Sequence, residues 1–308
     1  MGKKLLVTGG AGFVGSWLVR EAIGRGYEVE ALDAFRGGLY PESEKVRRAN
    51  TLSSEFGLEI QRVDLLDPDK LDVQADFVVH AAAMPGLDYS WREPSQYIAD
   101  NEMATLNLIQ AMLRSRPERF IHVSTSSVYG ITATGSEESE TNPISPYGYT
   151  KLAAENLVKL YLENKISYSV LRLFSVYGPE QRPDMGYHKF INAINRGEPI
   201  NIFGDGSQSR TNTYVSDAVI GILDAIEGGK PGAIYNIGGG EELTVIDAIS
   251  QISSYLDRQP ILNFVEERRG DQRRTFADVS RAQSDFGYSP KTSFSEGIQN
   301  QIDWQVRR

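Results

Sequence analysis

Short apolar runs alternate with longer helical patterns along the first half of the chain. The apolar runs predict β-strands at residues 4–9, 27–33, 58–64, 76–83, 119–126 and 167–175. The helical patterns lie at residues 13–26, about 94–116 and about 147–165. Strands that are apolar on both faces and separated by helices are typical of a parallel sheet covered on both sides. The first half therefore predicts a doubly wound α/β domain.

The second half differs from the first because it contains more loops. These segments are rich in Arg, Asp and Gly, and they lie at residues 178–186, 202–214, 236–243 and 265–275. Loops of this composition are candidates for binding a polar, phosphorylated ligand. The sequence has no internal repeat, low-complexity tract or free linker. We therefore expect one compact body with a cleft between its two halves.

Glycines mark the turn between the first predicted strand and the first predicted helix. In "VTGGAGFVGS", Gly9, Gly12 and Gly15 follow a G-x-x-G-x-x-G spacing, which differs from the commonest dinucleotide fingerprint. A tight turn needs a residue without a Cβ, and a pyrophosphate needs close approach of the backbone. The helix N-terminus that follows offers unpaired N–H groups to the anion. We therefore predict a dinucleotide site, the alternative being a structural turn that binds no nucleotide.

Acidic residues end the second and third predicted strands. Asp33 lies at about the right distance from the glycines to bind both hydroxyls of an adenosine ribose. Its charge would repel a 2′-phosphate, so that NAD is favoured over NADP. Asp64 and Leu65 are expected beside the adenine, whereas the alternative for Asp64 is a strand-end cap.

A tyrosine and a lysine lie four residues apart at the start of a predicted helix. Tyr147 and Lys151 in "SPYGYTKLAAE" share one helix face. An ammonium group beside a phenol, together with an oxidised nicotinamide ring, lowers the pKa of the tyrosine from about 10 toward neutrality. The pair then forms a general base that takes a proton from a sugar hydroxyl while hydride leaves for NAD. The alternative is an ordinary solvated helix start.

Hydroxyl side chains give this prediction more weight. Ser124, Thr125, Ser126 and Ser127 lie at the carboxyl end of the fifth predicted strand. Ligands bind at that end of the strands in sheets of this kind. A hydroxyl group there can form a hydrogen bond to the substrate oxygen and share its proton. We therefore expect these hydroxyls to act together with the tyrosine–lysine pair.

Composition narrows the range of partners. The 308 residues carry a net charge of −9, which gives no electrostatic reason to bind nucleic acid. The absence of cysteine removes disulfides, thiol catalysis and thiolate metal sites, and the three histidines are far apart. The apolar run near the N-terminus is too short for a signal-peptide core or a membrane span. We expect a cytoplasmic protein with no metal site and with neither nucleic acid nor membrane as a partner.

Motifs along the whole chain resemble a known family. In order they are "TGGAGFVG", Asp33, "VDLLD", "VVHAAA", "VSTSSVYG", "SPYGYTK", "LRLFSVYGP", "IFGDG" and "RRGD". The chain resembles extended short-chain dehydrogenases/reductases, and among them NAD-dependent NDP-sugar epimerases of the UDP-glucose 4-epimerase type. The resemblance implies a Rossmann domain in residues 1–175 with part of 213–240, and a smaller α/β domain for the nucleotide-sugar in 176–308. It also implies tightly held NAD and a homodimer through helices near 95–115 and 147–165.

The resemblance assigns roles to individual residues. Tyr147 would be the base, Lys151 would lower its pKa and bind the ribose, and Thr125 would be the hydroxyl partner. Arg210 and Arg268 would grip the UDP diphosphate, a task suited to a fixed fork of donors, whereas the alternative for each is a surface arginine. The expected cofactor-binding residues are Gly9, Gly12, Phe13, Val14, Gly15, Asp33, Asp64, Leu65, Ala81, Ala82, Ala83, Ser124, Tyr147 and Lys151.

Two departures from the family pattern bear on the reaction and the substrate. Dehydratases of this family carry Asp-Glu after the threonine, and here Ser126 and Ser127 stand there, which speaks against a dehydratase. Ser175 replaces the Asn of hexose epimerases, and UDP-glucuronate 4-epimerases resemble the chain at that position. Arg182 could then pair with a C6 carboxylate, with Thr125, Ser126, Ser127 and Ser175 completing a ring of hydroxyls. The alternative is that Arg182 belongs to a loop around a neutral sugar.

The resemblance therefore implies an NAD-dependent NDP-sugar 4-epimerase, most simply a UDP-hexose 4-epimerase. Oxidation at C4, rotation of the 4-keto sugar and return of hydride to its other face suffice for this reaction. The substrate pair is either UDP-glucose and UDP-galactose or UDP-glucuronate and UDP-galacturonate. The rivals are a dehydratase or reductase on the same scaffold and a non-catalytic nucleotide-binding regulator. Such regulators commonly lose the Tyr or the Lys of the pair, and this chain has both.

Overall fold

A computed structural model describes residues 2–267 and 270–307. The strands are β1 (Lys4–Thr8), β2 (Glu28–Asp33), β3 (Gln61–Arg62), β4 (Phe77–His80), β5 (Arg119–Thr125), β6 (Thr132–Ala133), β7 (Ser167–Leu173), β8 (Val176–Tyr177), β9 (Pro199–Phe203), β10 (Ser209–Thr211), β11 (Thr213–Tyr214), β12 (Ala233–Ile237), β13 (Glu242–Thr244), β14 (Ile261–Val265) and β15 (Arg274–Thr275). The α-helices are α1 (Phe13–Gly24), α2 (Glu42–Phe56), α3 (Leu87–Arg92), α4 (Pro94–Tyr97), α5 (Ala104–Ser115), α6 (Pro146–Leu162), α7 (Gly186–Arg196), α8 (Val215–Gly228), α9 (Val245–Leu256), α10 (Ser280–Phe286) and α11 (Phe294–Val306). Short 3-10 turns form at Pro68–Lys70 and Ser126–Tyr129, and a π-helical segment joins α4 to α5 at Ile98–Met103.

Parallel strands form a seven-stranded central sheet in the order β12-β7-β5-β4-β1-β2-β3. All the strands predicted in the first half belong to it, which confirms the doubly wound α/β fold. The chain leaves β1 toward β2 on one side and later returns to β4 on the other. Ligands of open parallel sheets bind in the crevice at such a reversal, outside the carboxyl ends of the strands.

Apolar side chains cover both faces of this sheet. Leu5 on β1 packs in one layer with Leu18 of α1 and Val219 of α8, and all three are almost fully buried. Leu6, its neighbour, points to the other face and packs in a second layer with Leu108 of α5. Successive strand residues alternate between faces, so each strand must be apolar throughout to fill both layers. Polar residues are thereby left to the strand ends and the loops.

Several elements differ from the sequence-based prediction, and two of them bear on the pocket. The strand predicted at 58–64 pairs only over Gln61–Arg62, because β3 is the outer strand of the sheet and these two residues are exposed. Helix α2 was not predicted, since Arg48 and Leu52 are the buried residues along it and they give almost no apolar periodicity. The predicted helix near 94–116 is confirmed, although the π-helical segment interrupts it.

The second half forms smaller sheets and a separate apolar cluster. Its sheets are β13-β10-β15-β6, β11-β8 and β14-β9. Helices α7, α9 and α11 pack around Ile191, Ile249 and Ile298. Strand β12 returns to the central sheet beside β7, and α8 packs on α1, so part of the segment 213–240 lies with the first half. The exact division into two domains stays a prediction.

Within residues 2–267 and 270–307, none of the helices is both long enough and apolar enough to cross a bilayer.

Candidate active site

A pocket of about 390 Å³ opens at the carboxyl ends of β1, β2, β4, β5 and β7. Loops of the second half contribute its other wall. The predicted site residues that line it are Gly9, Gly12, Phe13, Val14, Gly15, Asp33, Asp64, Leu65, Ala81, Ala82, Ala83, Ser124, Thr125, Ser126, Ser127, Tyr147, Lys151, Ser175, Arg182 and Arg210. Arg268, also predicted, lies outside the described residues. The structure thus brings the described candidates to one pocket, while the role of each stays a prediction.

The glycine turn between β1 and α1 leaves no room for side chains. Gly9 has a positive φ of 75°, and a Cβ there would lie 2.7 Å from the backbone nitrogen of Ala82. A Cβ on Gly15 would lie 2.0 Å from the carbonyl oxygen of Gly9. Gly12 is the N-cap of α1, so the helix begins at the pocket and presents its N-terminus to it. This arrangement fits a dinucleotide, whose pyrophosphate needs a bare backbone and unpaired N–H groups.

Asp33 is held rigidly at the end of β2. Its carboxylate accepts hydrogen bonds from the backbone nitrogens of Ala11 at 3.1 Å and Phe35 at 2.7 Å. The Lys45 ammonium lies 3.1 Å from the same carboxylate. Because the side chain of Asp33 is only 4% exposed, its orientation toward the pocket is fixed before any ligand binds.

Asp64 caps the turn after β3 and also lines the pocket, while its place beside the adenine stays a prediction. One carboxylate oxygen accepts a hydrogen bond from the backbone nitrogen of Leu66 at 3.0 Å, which is a cap of the turn after β3. The other accepts from Arg36 at 2.6 Å, and the residue lines the pocket. Arg36 also lies 3.2 Å from Asp100.

Sequence reasoning missed two cations beside the predicted adenosine end, Arg36 and Lys45. Both line the pocket. The signal that was available for Arg36 is its place in "FRGG", three residues after the strand-end Asp33. Lys45 lies on α2, the helix that was not predicted, and its approach to Asp33 depends on the packing of that helix.

Tyr147 lies in the first turn of α6. Ser145 caps the helix by accepting a hydrogen bond from the Gly148 nitrogen at 3.1 Å, and Pro146 occupies the first helical position. The Tyr147 ring packs edge-on against that of Tyr97, with 6.2 Å between the ring centres. These contacts fix where the phenol points.

The pKa of Tyr147 is raised in the protein by itself, and burial is the main cause. A hydrogen bond with Thr125 and the charge of Arg182 lower this pKa to a smaller extent. The expected lowering toward neutrality is therefore wrong for the chain alone, because removal of the phenol from water outweighs its positively charged surroundings. The hydrogen bond does bring Thr125 and Tyr147 together, as the sequence predicted.

Lys151 lies one helical turn further on and is 2% exposed. Its ammonium donates a hydrogen bond to the carbonyl oxygen of Val123 at 2.7 Å. Burial lowers the pKa of Lys151 to about 8, and the nearby Glu155 carboxylate opposes this. Glu155 itself accepts from the Arg172 fork at 2.7 and 3.1 Å. Sequence reasoning missed Glu155, although its i+4 spacing from Lys151 was visible.

The predicted hydroxyl groups line the pocket after β5, and each of them has a hydrogen-bond partner. The Ser124 hydroxyl donates to Glu155. Thr125 and Ser127 lie 3.2 Å apart through their hydroxyl oxygens. The Ser126 hydroxyl is 3.5 Å from the side-chain oxygen of Gln272, a buried residue of the second half. The hydroxyls of Thr125 and Ser127 are therefore more available to a ligand than the hydroxyl of Ser124, which is bonded to a carboxylate.

Arg182 reaches the pocket from the loop after β8. Its Nε and Nη2 atoms donate to the two carboxylate oxygens of Asp184, at 3.0 and 2.9 Å. Its guanidinium carbon lies 5.9 Å from the centre of the Tyr40 ring. Since its charge also acts on Tyr147, the guanidinium group lies at the predicted reaction centre.

Arg210 on β10 holds a second charged pair. Its Nη2 donates to Asp271 at 2.9 Å, and its Nη1 donates to the Ser209 carbonyl oxygen at 2.9 Å. Asp271 and Gln272 line the pocket as well. Sequence reasoning missed both, although they follow the glycine of the "RRGD" motif.

Two of the three histidines, His80 and His122, lie in the interior of the central sheet, and His188 lies on α7. His80 is fully buried, and its ring nitrogens bond to the hydroxyls of Thr8 at 2.7 Å and Thr105 at 2.9 Å. The ring of His122 lies beside it, with 5.4 Å between the ring centres. In the part of the chain that the structure describes, no group of three or more His, Asp or Glu side chains is placed to hold a metal ion.

Comparison with known proteins places this pocket in context. A model of the NAD dependent epimerase/dehydratase family matches residues 5–238. The chain is 38% identical to the uncharacterized UDP-glucose epimerase YtcB of Bacillus subtilis, over 97% of this chain and 96% of the relative. It is 33% identical to a dTDP-glucose 4,6-dehydratase of Streptomyces antibioticus, over 97% and 91% of the two chains. A crystal structure of UDP-glucuronic acid 4-epimerase from Bacillus cereus with UDP-glucuronic acid and NAD is similar at a TM-score of 0.94, with 38% identity over 99% of each chain.

Proposed function

The chain belongs to the NAD dependent epimerase/dehydratase family, and we propose that within it this protein interconverts UDP-glucuronate and UDP-galacturonate by epimerisation at C4. The match confirms the resemblance drawn from the motifs, and NAD is the cofactor. The observation that carries the proposal is the position of Arg182. This cation lines the pocket, its charge acts on Tyr147, and a C6 carboxylate is the substrate group that would need it.

The glycine turn and the strand ends hold the cofactor in this proposal. The α1 N-terminus receives the pyrophosphate, and Asp33 binds the adenosine ribose. When bound, NAD supplies the reversible hydride acceptor through which C4 is oxidised and then reduced from its other face. The glycine turn supports this assignment, since a side chain at Gly9 or Gly15 would clash with the backbone that forms it.

Tyr147 moves the proton of the C4 hydroxyl. It takes the proton as hydride leaves C4, and it gives the proton back when the 4-keto sugar is reduced. Thr125 shares the hydrogen bond and keeps the substrate oxygen within reach of the phenol. The charge of Arg182 lowers the pKa of Tyr147, which burial raises, so it stabilises the phenolate that the step requires.

Side chains of the second wall hold the nucleotide-sugar. Arg210 binds the diphosphate, and Arg182 binds the C6 carboxylate together with the hydroxyls of Ser126, Ser127 and Ser175. No acidic side chain follows Thr125 directly, whereas expulsion of the 6-hydroxyl by a dehydratase needs one. Membership of the family alone leaves dehydration open, because a dehydratase is among the relatives. Ser126 and Ser127 are the reason for choosing epimerisation.

The proposal is tested with the purified protein and no added NAD. UDP-glucuronate and UDP-glucose are incubated separately, and the anomeric proton signals are followed by NMR. We expect conversion of UDP-glucuronate to UDP-galacturonate, and slower conversion of UDP-glucose. Formation of a 4-keto-6-deoxy sugar would indicate a dehydratase instead. Conversion of UDP-glucose alone would retain the epimerase and overturn the choice of substrate.

The assembly is a further part of the proposal. We expect a homodimer through the helices near 95–115 and 147–165. Large apolar side chains are exposed on these segments, among them Ile98, Met103, Tyr149 and Leu160, and Leu160 is 72% exposed. A sedimentation-velocity measurement tests this, since Leu160→Asp would shift a dimer toward monomer. The assigned domain boundary and a cytoplasmic location remain predictions.

A further inference from the structure

We propose that Asp184 is a positioning residue that turns Arg182 toward the substrate carboxylate and so determines the preference for a uronate. The inference rests on the proposed function and adds a residue to it. Asp184 itself is not among the residues that line the pocket. It acts through the guanidinium group of Arg182 rather than on the sugar.

The geometry of the pair leaves part of Arg182 available. Asp184 engages Nε and Nη2, so it meets one edge of the planar guanidinium group in a bidentate pair. A guanidinium group has five N–H donors in a fixed plane. Nη1 has no hydrogen-bond partner among residues 2–267 and 270–307. The Nη1 end is therefore free to meet a second carboxylate while Asp184 keeps the first edge.

The backbone around the pair is fixed from the other side of the loop. Glu180, two residues before Arg182, adopts a positive φ of 69° and is 6% exposed. Its carboxylate lies 3.3 Å from Arg20 and 3.4 Å from Arg47, and its carbonyl oxygen accepts from Arg48 at 2.9 Å. These contacts tie the loop to α1 and α2. The loop backbone is thus held independently of Asp184, and Asp184 is left to set the orientation of the side chain.

Gln181, directly before Arg182, anchors the loop to elements that follow it in the chain. Its side-chain oxygen accepts from the His188 backbone nitrogen and from Gln301, each at 2.9 Å. Helix α7 begins at Gly186, immediately after Met185, whose backbone nitrogen donates to the Arg182 carbonyl oxygen at 3.1 Å. A loop held at both ends costs little ordering entropy when substrate binds. The remaining freedom is rotation of the long Arg182 side chain, which the bidentate contact removes.

Two effects of the Asp184 charge oppose each other. Orientation of Arg182 favours binding of a C6 carboxylate, whereas the negative charge of Asp184 repels it. Both side chains of the pair are about 15% exposed, so neither effect is strongly screened. Our proposal is that orientation dominates. The opposite balance would make removal of the charge improve uronate binding, which gives the experiment a clear sign.

The test compares KM and kcat for UDP-glucuronate in the NAD-bound protein and its variants. Asp184→Ala removes the orienting contact, and we expect KM to rise by about tenfold or more with kcat changed less. Asp184→Asn keeps one acceptor oxygen without the charge, and we expect a smaller rise, of a few fold. Affinity for UDP, which has no C6 group, should stay unchanged in both. A KM that is unchanged or lower in both variants overturns the proposal.

A double variant separates positioning from general damage to the loop. If Asp184 acts through Arg182, then Asp184→Ala adds no further loss in an Arg182→Ala background. Additive losses would contradict the proposal. If Arg182→Ala alone leaves UDP-glucuronate turnover unchanged, the proposed substrate fails as well. If only the Asp184 variants behave like the parent, the substrate assignment stands and this inference falls.

A matched control comes from another Asp–Arg pair. Asp224 lies 2.6 Å from Arg25 in a partly exposed pair on the α1–α8 side of the sheet, away from the pocket. Asp224→Ala should leave KM for UDP-glucuronate and UDP affinity unchanged. NAD content and the thermal midpoint of each variant confirm that the comparison is made between folded proteins.

Discussion

The two walls of the pocket are built on different physical principles. The wall formed by the central sheet offers backbone groups, bare glycines and the N-terminus of α1. The wall formed by the second half offers side-chain charges that are already paired, as in Arg182 with Asp184 and Arg210 with Asp271. We expect the glycine turn of the first wall to recognise its ligand mainly by shape, and the second wall to do so by charge and orientation.

Because of this difference, we expect the two walls to tolerate amino-acid substitution to different extents. A glycine cradle follows from a few adjacent residues and tolerates almost no substitution. A charged pair such as Arg210–Asp271 joins residues that are 61 positions apart and lie outside the central sheet, so its side chains can be exchanged without disturbing that sheet. If the two walls bind the cofactor and the substrate as proposed, cofactor binding depends on the fold of the central sheet, whereas substrate choice depends on side chains that can vary around it.

The largest effect is expected where the two walls meet, at Tyr147. Tyr147→Phe removes the hydroxyl that moves the C4 proton, and we expect kcat to fall by about a hundredfold to ten-thousandfold. NAD content and UDP affinity should remain. Tyr255→Phe is the control, because that side chain is 40% exposed and lies on α9, away from the pocket and from the helices expected in the dimer. Equal activity of the two variants would remove Tyr147 from the mechanism.

The next largest effect is expected in the wall that works by shape. In Gly15→Val the new Cβ would lie 2.0 Å from the Gly9 carbonyl oxygen, which cannot move aside. We expect the free energy of unfolding to fall by about 3 kcal/mol or more, together with loss of bound NAD. Chemical denaturation measures the loss of stability. The absorbance of the purified protein, compared between the NAD band and the protein band, measures the loss of NAD.

Gly24 provides the comparison within the same helix. It ends α1, and a Cβ there would meet nothing within 4 Å. Gly24→Ala should change stability by no more than about 1 kcal/mol, in the stabilising direction, and should retain NAD. If both glycine variants kept NAD, the cradle would not be the cofactor site.

A smaller effect is expected in the wall that works by charge. Arg210→Ala should raise KM for UDP-glucuronate roughly tenfold to a hundredfold, while NAD content and stability stay close to the parent. Arg273→Ala is the control, since that arginine is 72% exposed and does not line the pocket. Steady-state kinetics and UDP titration measure the change. Loss of NAD in the Arg210 variant would mean that the two walls are not separable.

The smallest effect, counted per pH unit, is a dependence of stability on pH. It arises from two histidines that are buried in the central sheet. Burial lowers the pKa of His80 to about 3 and that of His122 well below its usual value. The unfolded chain then binds more protons than the folded chain below pH 6.5, so stability falls as the pH falls from there toward 3. Each histidine therefore adds to this loss of stability, by at most about 1 kcal/mol per pH unit.

His122→Leu tests this contribution. Both ring nitrogens of His122 lack a hydrogen-bond partner in the described part of the chain, so the substitution leaves none of its own partners unsatisfied. Denaturation at pH 7 and pH 5 should show a smaller loss of stability for the variant than for the parent. An equal loss of stability in variant and parent would contradict the prediction. It would mean that His122 has the same protonation state in the folded and the unfolded chain.

The sequence predicted the first wall better than the second. The strands, the glycine turn and Asp33 depend on local patterns, and the structure places them together. Lys45 was missed because it lies on α2, whose buried residues give no apolar periodicity. For the chain without NAD the pKa of Tyr147 is raised, because burial outweighs the charges around it and depends on tertiary packing that the sequence pattern does not show. The lowering expected beside an oxidised nicotinamide stays a prediction.

The acidic partners of Arg182 and Arg210 in the second wall could not be predicted from the sequence, for a different reason. Arg182 and Arg210 were identified through motifs, but a motif does not say which acid each arginine meets. Asp184 follows Arg182 by two residues, and only the turn of the loop brings their side chains into a bidentate pair. Glu180 acquires its role from arginines on α1 and α2, far away in the chain.

The transfer of hydride from C4 and back is tested most directly with deuterium. The purified protein is incubated in ordinary water with UDP-glucuronate that carries deuterium at C4, and the UDP-galacturonate is analysed by NMR and mass spectrometry. We expect the product to retain deuterium at C4, because hydride does not exchange with solvent. Product with solvent hydrogen at C4 would contradict the mechanism, since it would require removal of a proton rather than a hydride.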